Sequence, residues 1–411
     1  MPETNFDVLI CGGGMTGAGL ASVLAQQGLK IAVFEAQQPD DFDLSQAFDL
    51  RISALGPQTR SVLKRTQAWQ NIISMRACPY RQMRVWEMQG FGDITFHANQ
   101  VNASELGHIV ENRVTQLALW QVLDEMPEVT LLCPQKPLKT YRKNATMYVE
   151  TESGETFTGK LLVAADGGQS MVRQAFGIGV NRSQYQQACL VVGVNTELGQ
   201  QDITWQRFTS TGPQAFLPLP GQHGSVVWYH QADEVRRLYQ LSNAQLQAEI
   251  MSHFPQELGN IEVLSKSYFN LQKQHAQSYV QDGLALIGDA AHIINPLAGQ
   301  GVNLGFQDIS SLDAVIAKSR AAGDEWWQAK ALSEYQRQRM WSNRLMMQTM
   351  DAFYHGFSND NTGLKWLRNG TLALAKLAPI KRNVIRYAMG MPASPMPWAC
   401  LLYTSPSPRD A

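Results

Sequence analysis

Redox-active cysteine pairs and metal-ligand clusters are missing from this sequence. Its five cysteines (Cys11, Cys78, Cys133, Cys189 and Cys400) are odd in number, far apart and never in a CxxC pair. That argues against a zinc site or a disulfide reductase, and no metal is expected. A thiol inside an apolar run, such as Cys11 in Val8-Leu9-Ile10-Cys11, reads as packing. An excess of one charge is also lacking. With 34 basic against 35 acidic residues the net charge is −1, so no overall field draws the chain to nucleic acid. Apolar runs stay below the roughly 18 residues that mark a spanning helix, and the first residues enter a strand pattern without a basic and then apolar leader. A cytoplasmic protein is the expectation. The composition, 44% hydrophobic and 17% charged over 411 residues, is that of a globular protein of two or three domains.

Hydrophobic patterning gives the organisation. Phe6 to Cys11 is an apolar run that stops at three glycines. Small and apolar residues follow from Met15 to Gln27, Gly28 ends that stretch, and Ile31 to Phe34 leads into Glu35. Strand, turn, helix and strand in this space is a βαβ unit, hence the start of a parallel sheet. Lys160–Ala165 and Leu284–Ile287 read as further strands, entering Asp166-Gly167 and Gly288-Asp289. Between them, runs such as Ala188–Val194 and Ser225–Tyr229, with glycine and proline turns, predict a β-rich part inserted into the first. Met83–Met88 and Ile94–His97 are expected to join it. After Gly299 the chain reads as mostly helical, and from Met391 it becomes a proline-rich tail without periodicity.

Three glycine turns carry the chemistry. In Gly12-Gly13-Gly14-Met15-Thr16-Gly17, a G-x-G-x-x-G, Gly12 permits a tight turn, Gly14 lets backbone approach a pyrophosphate, and Gly17 lets the helix pack on the strand. The helix start offers N–H groups and a positive dipole end to the phosphates. Glu35, ending the next strand, can accept hydrogen bonds from an adenosine ribose. Ala164-Ala165-Asp166-Gly167-Gly168-Gln169-Ser170-Met171-Val172-Arg173 is a second strand-to-helix turn, its helix start carrying Ser170 and Arg173, by itself equally compatible with ordinary structure. The third, Gly288-Asp289, continues through Pro296 and Gly299-Gln300-Gly301-Val302-Asn303 into a second helix start.

In this order and at these separations the motifs resemble the FAD-dependent aromatic hydroxylases of the para-hydroxybenzoate hydroxylase type. Asp49–Leu55, Leu106–Asn112, Trp205–Phe208, Ala215–Leu219 and Asn295–Gly305 are similar to the ubiquinone-biosynthesis branch of that family. The resemblance implies an α/β fold, α+β overall: a Rossmann-like FAD-binding domain (1–75, 105–180 and 275–330), an inserted β-sheet substrate domain (76–104 and 181–274) and a helical C-terminal region (331–390). It implies FAD as cofactor and NAD(P)H as electron donor. The substrate would be a polyprenylated quinol, hydroxylated with O₂ through a C4a-hydroperoxyflavin. Gly12, Gly14, Gly17, Glu35, Asp166, Gly167, Gly288 and Asp289 would hold the cofactor, and Pro296, Gly299, Gln300, Gly301, Val302 and Asn303 would line its ring.

Arg51 is the candidate for the flavin face, unless it only pairs with Asp49. His292 would carry a proton or position its loop. Tyr185, Trp205 and Phe216 line a substrate cavity or are plain core. Residues 363–391 hold six basic residues (Lys365, Arg368, Lys376, Lys381, Arg382 and Arg386) and no acidic ones. They fit an anionic membrane, another enzyme of the same pathway or the chain's own surface. A same-fold FAD oxidoreductase acting on another aromatic or prenyl substrate, or a flavin-binding sensor or scaffold without turnover, is the alternative.

Overall fold

The computed structural model of the chain describes residues 4–88, 92–294 and 301–357. The first apolar run forms the strand Val8–Cys11, buried on both faces as a central parallel strand requires. The glycine turn follows, then the helix Met15–Ala25 and the strand Ile31–Phe34. Four parallel strands lie in the order Leu284–Leu286, Leu161–Ala164, Val8–Cys11, Ile31–Phe34, and Val129–Leu132 adds a fifth beside the last. The short Val280–Gln281 closes the other edge antiparallel. Helices Met15–Ala25, Asn112–Asp124 and Gly301–Ala321 pack around this sheet, and their apolar residues share one core with it.

The β-rich part is an eight-stranded sheet. Its order is His292–Ile293, Ile261–Ala276, Val180–Thr196, His223–Gln231, Gly212–Pro218, Ile203–Thr209, Gln82–Glu87, Asp93–His97. Neighbours are antiparallel except Ile203–Thr209 with Gln82–Glu87. One face is sealed by the helices Ala232–Gln240 and Asn243–His253, whose Val235, Leu238, Leu246 and Ile250 pack on Trp205, Phe216, Val226 and Trp228. The other face turns towards the segment around Leu50 and Ile52.

Two smaller sheets were not anticipated from the sequence. Ile52–Leu55, Gly107–Glu111 and Cys78–Tyr80 form one, and Thr4–Asn5, Thr156–Gly159, Thr146–Thr151 and Pro137–Lys143 the other. Cys78–Tyr80 thus pairs outside the large sheet, which the chain joins only from Gln82. The helix Ala329–Phe357 ends the described chain. Most of the expected helical region, the basic segment and the tail lie beyond it. Cys11, Cys78 and Cys189 are buried free thiols, and burial raises the Cys11 thiol well above its ordinary range.

The glycine turn leaves no room for side chains at two positions. Gly12 has φ +105°, and a Cβ there would lie 2.3 Å from the Ala165 carbonyl oxygen. A Cβ on Gly17 would lie 1.9 Å from the Gly12 carbonyl oxygen. Both neighbours are backbone and cannot rotate away. Gly17→Ala is therefore expected to destabilise the apoprotein by about 1–3 kcal/mol or more, as overpacking does. Urea denaturation monitored by circular dichroism checks this, and an unchanged midpoint would refute it.

Candidate cofactor and active site

The three glycine turns stand side by side because their strands are neighbours in the parallel sheet. Gly12 N–H donates to Phe34 O (2.8 Å), Ala165 N–H to Cys11 O (2.8 Å) and Ile287 N–H to Ala164 O (3.0 Å). Thr16 of the first turn lies against the third: a Cβ on Gly288 would meet its Oγ1 at 3.0 Å, and one on Gly305 its Cγ2 at 2.4 Å. Buried Arg173 joins the second turn to the third, donating to Ala290 O (2.7 Å) and Gly168 O (2.9 Å). On the other side, Trp120 and Gln116 hold the Gly13 carbonyl with N–H donors at 2.7 and 3.1 Å. Arg173 belongs to the second motif itself, whereas no motif marks Trp120 or Gln116, which reach the site from the helix Asn112–Asp124.

The surfaces these turns present fit a dinucleotide. Among the described residues a Cβ on Gly14, Gly167 or Gly301 would meet nothing within 4 Å, so backbone is open at all three. No side chain caps the helix Met15–Ala25 at Gly14, which leaves its first N–H groups without a side-chain acceptor among the described residues. Glu35 takes Gly13 N–H on Oε2 (2.8 Å) and Gln37 N–H on Oε1 (3.1 Å). A carboxylate has further lone pairs for ribose hydroxyls. Asp166 accepts Val172 N–H at Oδ2 (3.1 Å), while its Oδ1 is buried with no partner among the described residues. Burial raises that carboxyl above its ordinary range. A buried acceptor without a donor is the kind of group that a ligand hydroxyl or a water satisfies.

Asp289 is accessible at its surface yet enclosed by protein. That enclosure raises its carboxyl, and the charges of His292 and Arg51 act the other way. Exposed between the buried Gly288 and Ala290, this carboxylate opens onto the cleft between the turns, with the charge of Arg51 close enough to be felt. Arg51 is itself exposed, and Asp49 is engaged elsewhere, by Arg113 at 2.9 and 3.0 Å. The chain before it is pinned by the buried Arg76–Glu111 pair (2.8 Å): Arg76 also donates to Gln46 O, and Glu111 accepts Asp49 N–H.

His292 is buried and its Nε2 lies 2.6 Å from Asp308 Oδ2, which gives it a loop-positioning bond. Asn303 ties the helix start to another segment with its side chain: Oδ1 accepts from Gly56 N–H (2.9 Å) and Thr59 Oγ1 (2.7 Å), and Nδ2 donates to Ala54 O (2.8 Å). Val302 packs against the main core. Pro296, Gly299 and Gln300 lie outside the described residues.

The aromatic candidates separate by face. Trp205 and Phe216 are buried against the two covering helices. They are core residues on the sealed side and cannot line a cavity on the other, which corrects the cavity reading for both. Strand alternation is the reason: their neighbours Gln206, Ala215, Leu217 and Val227 point the opposite way and are only half-buried. Tyr185 does lie on that open face, packed near Leu50 and Val227, with its hydroxyl donating to Asp351 (2.6 Å). Among the described residues no cluster of His, Cys, Asp or Glu has the makings of a metal site.

Residues 5–349 match the family described as FAD binding domain. The chain is 42% identical over 386 residues to the 3-demethoxyubiquinol 3-hydroxylase of Escherichia coli strain K12, covering 94% of this chain and 98% of that protein. It is 33% identical to the ubiquinone hydroxylase UbiL of Rhodospirillum rubrum, covering 93% and 89%. In fold it is similar to the crystal structure of p-nitrophenol 4-monooxygenase PnpA from Pseudomonas putida DLL-E4, with TM-score 0.76 and 16% identity over 96% of this chain and all of that one.

Two histidines near these elements set an acid limit on stability. Burial, with the charges of Arg344 and His292, lowers His275 to about 4. Burial, with Arg60, Lys64 and Arg81, lowers His108 to about 4. The unfolded chain therefore binds more protons between its ordinary value of about 6.5 and pH 4. Their contribution is complete above that upper value and falls as pH drops through the window. Melting temperature should decline from pH 7 to 4.5, and less steeply in a His108→Gln/His275→Gln variant. Equal slopes would refute the assignment.

Proposed function

Because this chain belongs to the family of FAD binding domain proteins, we propose that it is an FAD-dependent monooxygenase that hydroxylates the quinol ring of a polyprenylated ubiquinone precursor with O₂ and NAD(P)H. The relatives' activities support the reaction. The observation that carries it to this chain is the cleft itself: glycine turns with open backbone faces and an Asp166 oxygen unpartnered among the described residues, with a half-buried apolar sheet face in the same molecule.

Bound in the cleft, FAD supplies the activation of O₂ with electrons from NAD(P)H. The protein's share is binding, orientation and dryness. N–H groups at the start of Met15–Ala25 take the pyrophosphate, and Glu35, Asp166 and Asp289 accept hydroxyl donors. Gly12 and Gly17 shape the turn that presents those N–H groups. The start of Gly301–Ala321, at Gly301 and Val302, turns its positive dipole end to negative charge in the bound group. Arg51 belongs at the ring's edge. The face formed by Gly193, Ala215, Leu217 and Val227 receives an apolar ring and excludes water from it, with Tyr185 at its margin. On this reading 1–75, 105–180 and 275–330 hold the cofactor, and 76–104 with 181–274 hold the substrate.

A polyprenyl chain partitions into lipid, so substrate delivery favours contact with a membrane surface. Among the described residues no helix is long and apolar enough to cross one. The basic residues of 363–391 supply attraction to anionic lipid instead. Sedimentation with anionic liposomes, reduced when Lys376, Lys381 and Arg382 are changed to Gln, is the expected result. Undiminished binding would remove that role.

The reaction is tested with purified protein and a short-chain demethoxyubiquinol. NAD(P)H oxidation should rise on adding the quinol, and ¹⁸O from ¹⁸O₂ should appear in the product ring. Oxidation without incorporation would leave an oxidase, and no stimulation would overturn the reading.

A further inference from the structure

Asp308, on the helix Gly301–Ala321, is completely buried. Its Oδ2 accepts the Gly288 N–H (3.0 Å) and faces His292 Nε2 at 2.6 Å; its Oδ1 accepts Arg339 Nε at 2.7 Å. Burial alone would raise this carboxyl, but the charges of His292 and Arg339 outweigh it and hold it below its ordinary range. As a carboxylate Asp308 only accepts, so His292 Nε2 carries the proton of their bond. Gly288 and His292 are the two ends of the turn that presents Asp289. One oxygen therefore ties both ends of that turn while Asp289, between them, faces the cleft.

Arg339 holds Asp308 in turn. It lies on Ala329–Phe357, and the rest of its guanidinium is also occupied: Nη1 donates to Gln307 Oε1 (3.0 Å), and Nη2 to Asn343 Oδ1 (2.9 Å) and Leu304 O (3.3 Å). Asn343 passes the chain on to the Tyr279 hydroxyl (3.1 Å). A buried ion pair is poor evidence for stability, because apolar residues of similar volume often serve as well. What an apolar pair cannot do is accept hydrogen bonds from both ends of a turn.

We propose that Asp308 and Arg339 are positioning residues for the cofactor, fixing the Gly288–His292 turn so that Asp289 meets the bound FAD. The inference rests on the placement of Asp289 at the cofactor in the function proposed above. Among the described residues Arg339 makes no hydrogen bond to the turn itself: it reaches the turn through Asp308, and it also braces the helix Gly301–Ala321 at Leu304 and Gln307, a second route that the cycle below separates from the first.

A double-mutant cycle on the full chain tests this, reading the FAD dissociation constant from flavin fluorescence on titration of apoprotein. Asp289→Ala and Arg339→Lys should each weaken FAD on the order of tenfold, by analogy with outer partners of metal ligands. The double variant should be no weaker than the weaker single, because both changes remove one interaction. Multiplying losses, or unchanged affinity in Arg339→Lys, would overturn the proposal. Unchanged affinity in Asp289→Ala would overturn the placement of Asp289 and the proposal with it, whereas losses that multiply leave that placement standing. Melting of each apoprotein reports folding. If Arg339→Lys does not fold, the charge-neutral Asp308→Asn/Arg339→Met variant takes its place in the same cycle, with the same outcomes expected.

Discussion

The molecule depends on backbone approaching backbone at the carboxyl edge of the parallel sheet. The Gly12 turn lies against the Ala165 carbonyl, and the helix beginning at Met15 lies against Gly12 itself, with room for no atom beyond a hydrogen at either contact. That approach brings the first helix start level with the Asp166 and Gly288 turns. Much of the conformational restriction lies in residues that contribute no side chain at all.

Much of this was legible in the sequence because its signals are local. A glycine demanded by a turn stands where the turn is, and a strand buried on both faces, such as Val8–Cys11, is a continuous apolar run. The grip of Asp308 on Gly288 was not legible, since a carboxylate in mid-helix reads as a solvated residue until its partners 20 and 31 positions away are known. Nor was the hold of Trp120 on Gly13, 107 positions apart. Trp205 and Phe216 show a different limit. Alternation says that neighbouring residues face opposite ways, but both faces of this sheet are largely apolar, so it does not say which face meets the helices.

Four carboxylates near the strand ends show how surroundings divide one functional group among tasks. Glu35 braces the glycine turn and keeps spare acceptor capacity. Asp166 keeps one oxygen unpartnered among the described residues, and Asp289 stands open to the cleft. Asp308, sealed from solvent, has taken three donors and has become part of the scaffold. The polar groups that shape a cofactor cleft need not face it. Here the one most completely satisfied is the one furthest from contact.

The two-faced sheet has a consequence for how such a protein changes over time. Residues at Trp205 and Phe216 build the support, and those at Gln206, Ala215, Leu217 and Val227 shape what the support presents. Adding or deleting a single residue inside these strands would exchange the two sets, whereas a change of length at the hairpin ends would not. Point replacements on the presenting side, by contrast, leave both the helical backing and the glycine turns untouched. Such an arrangement lets the presented surface vary while the packing beneath it stays fixed.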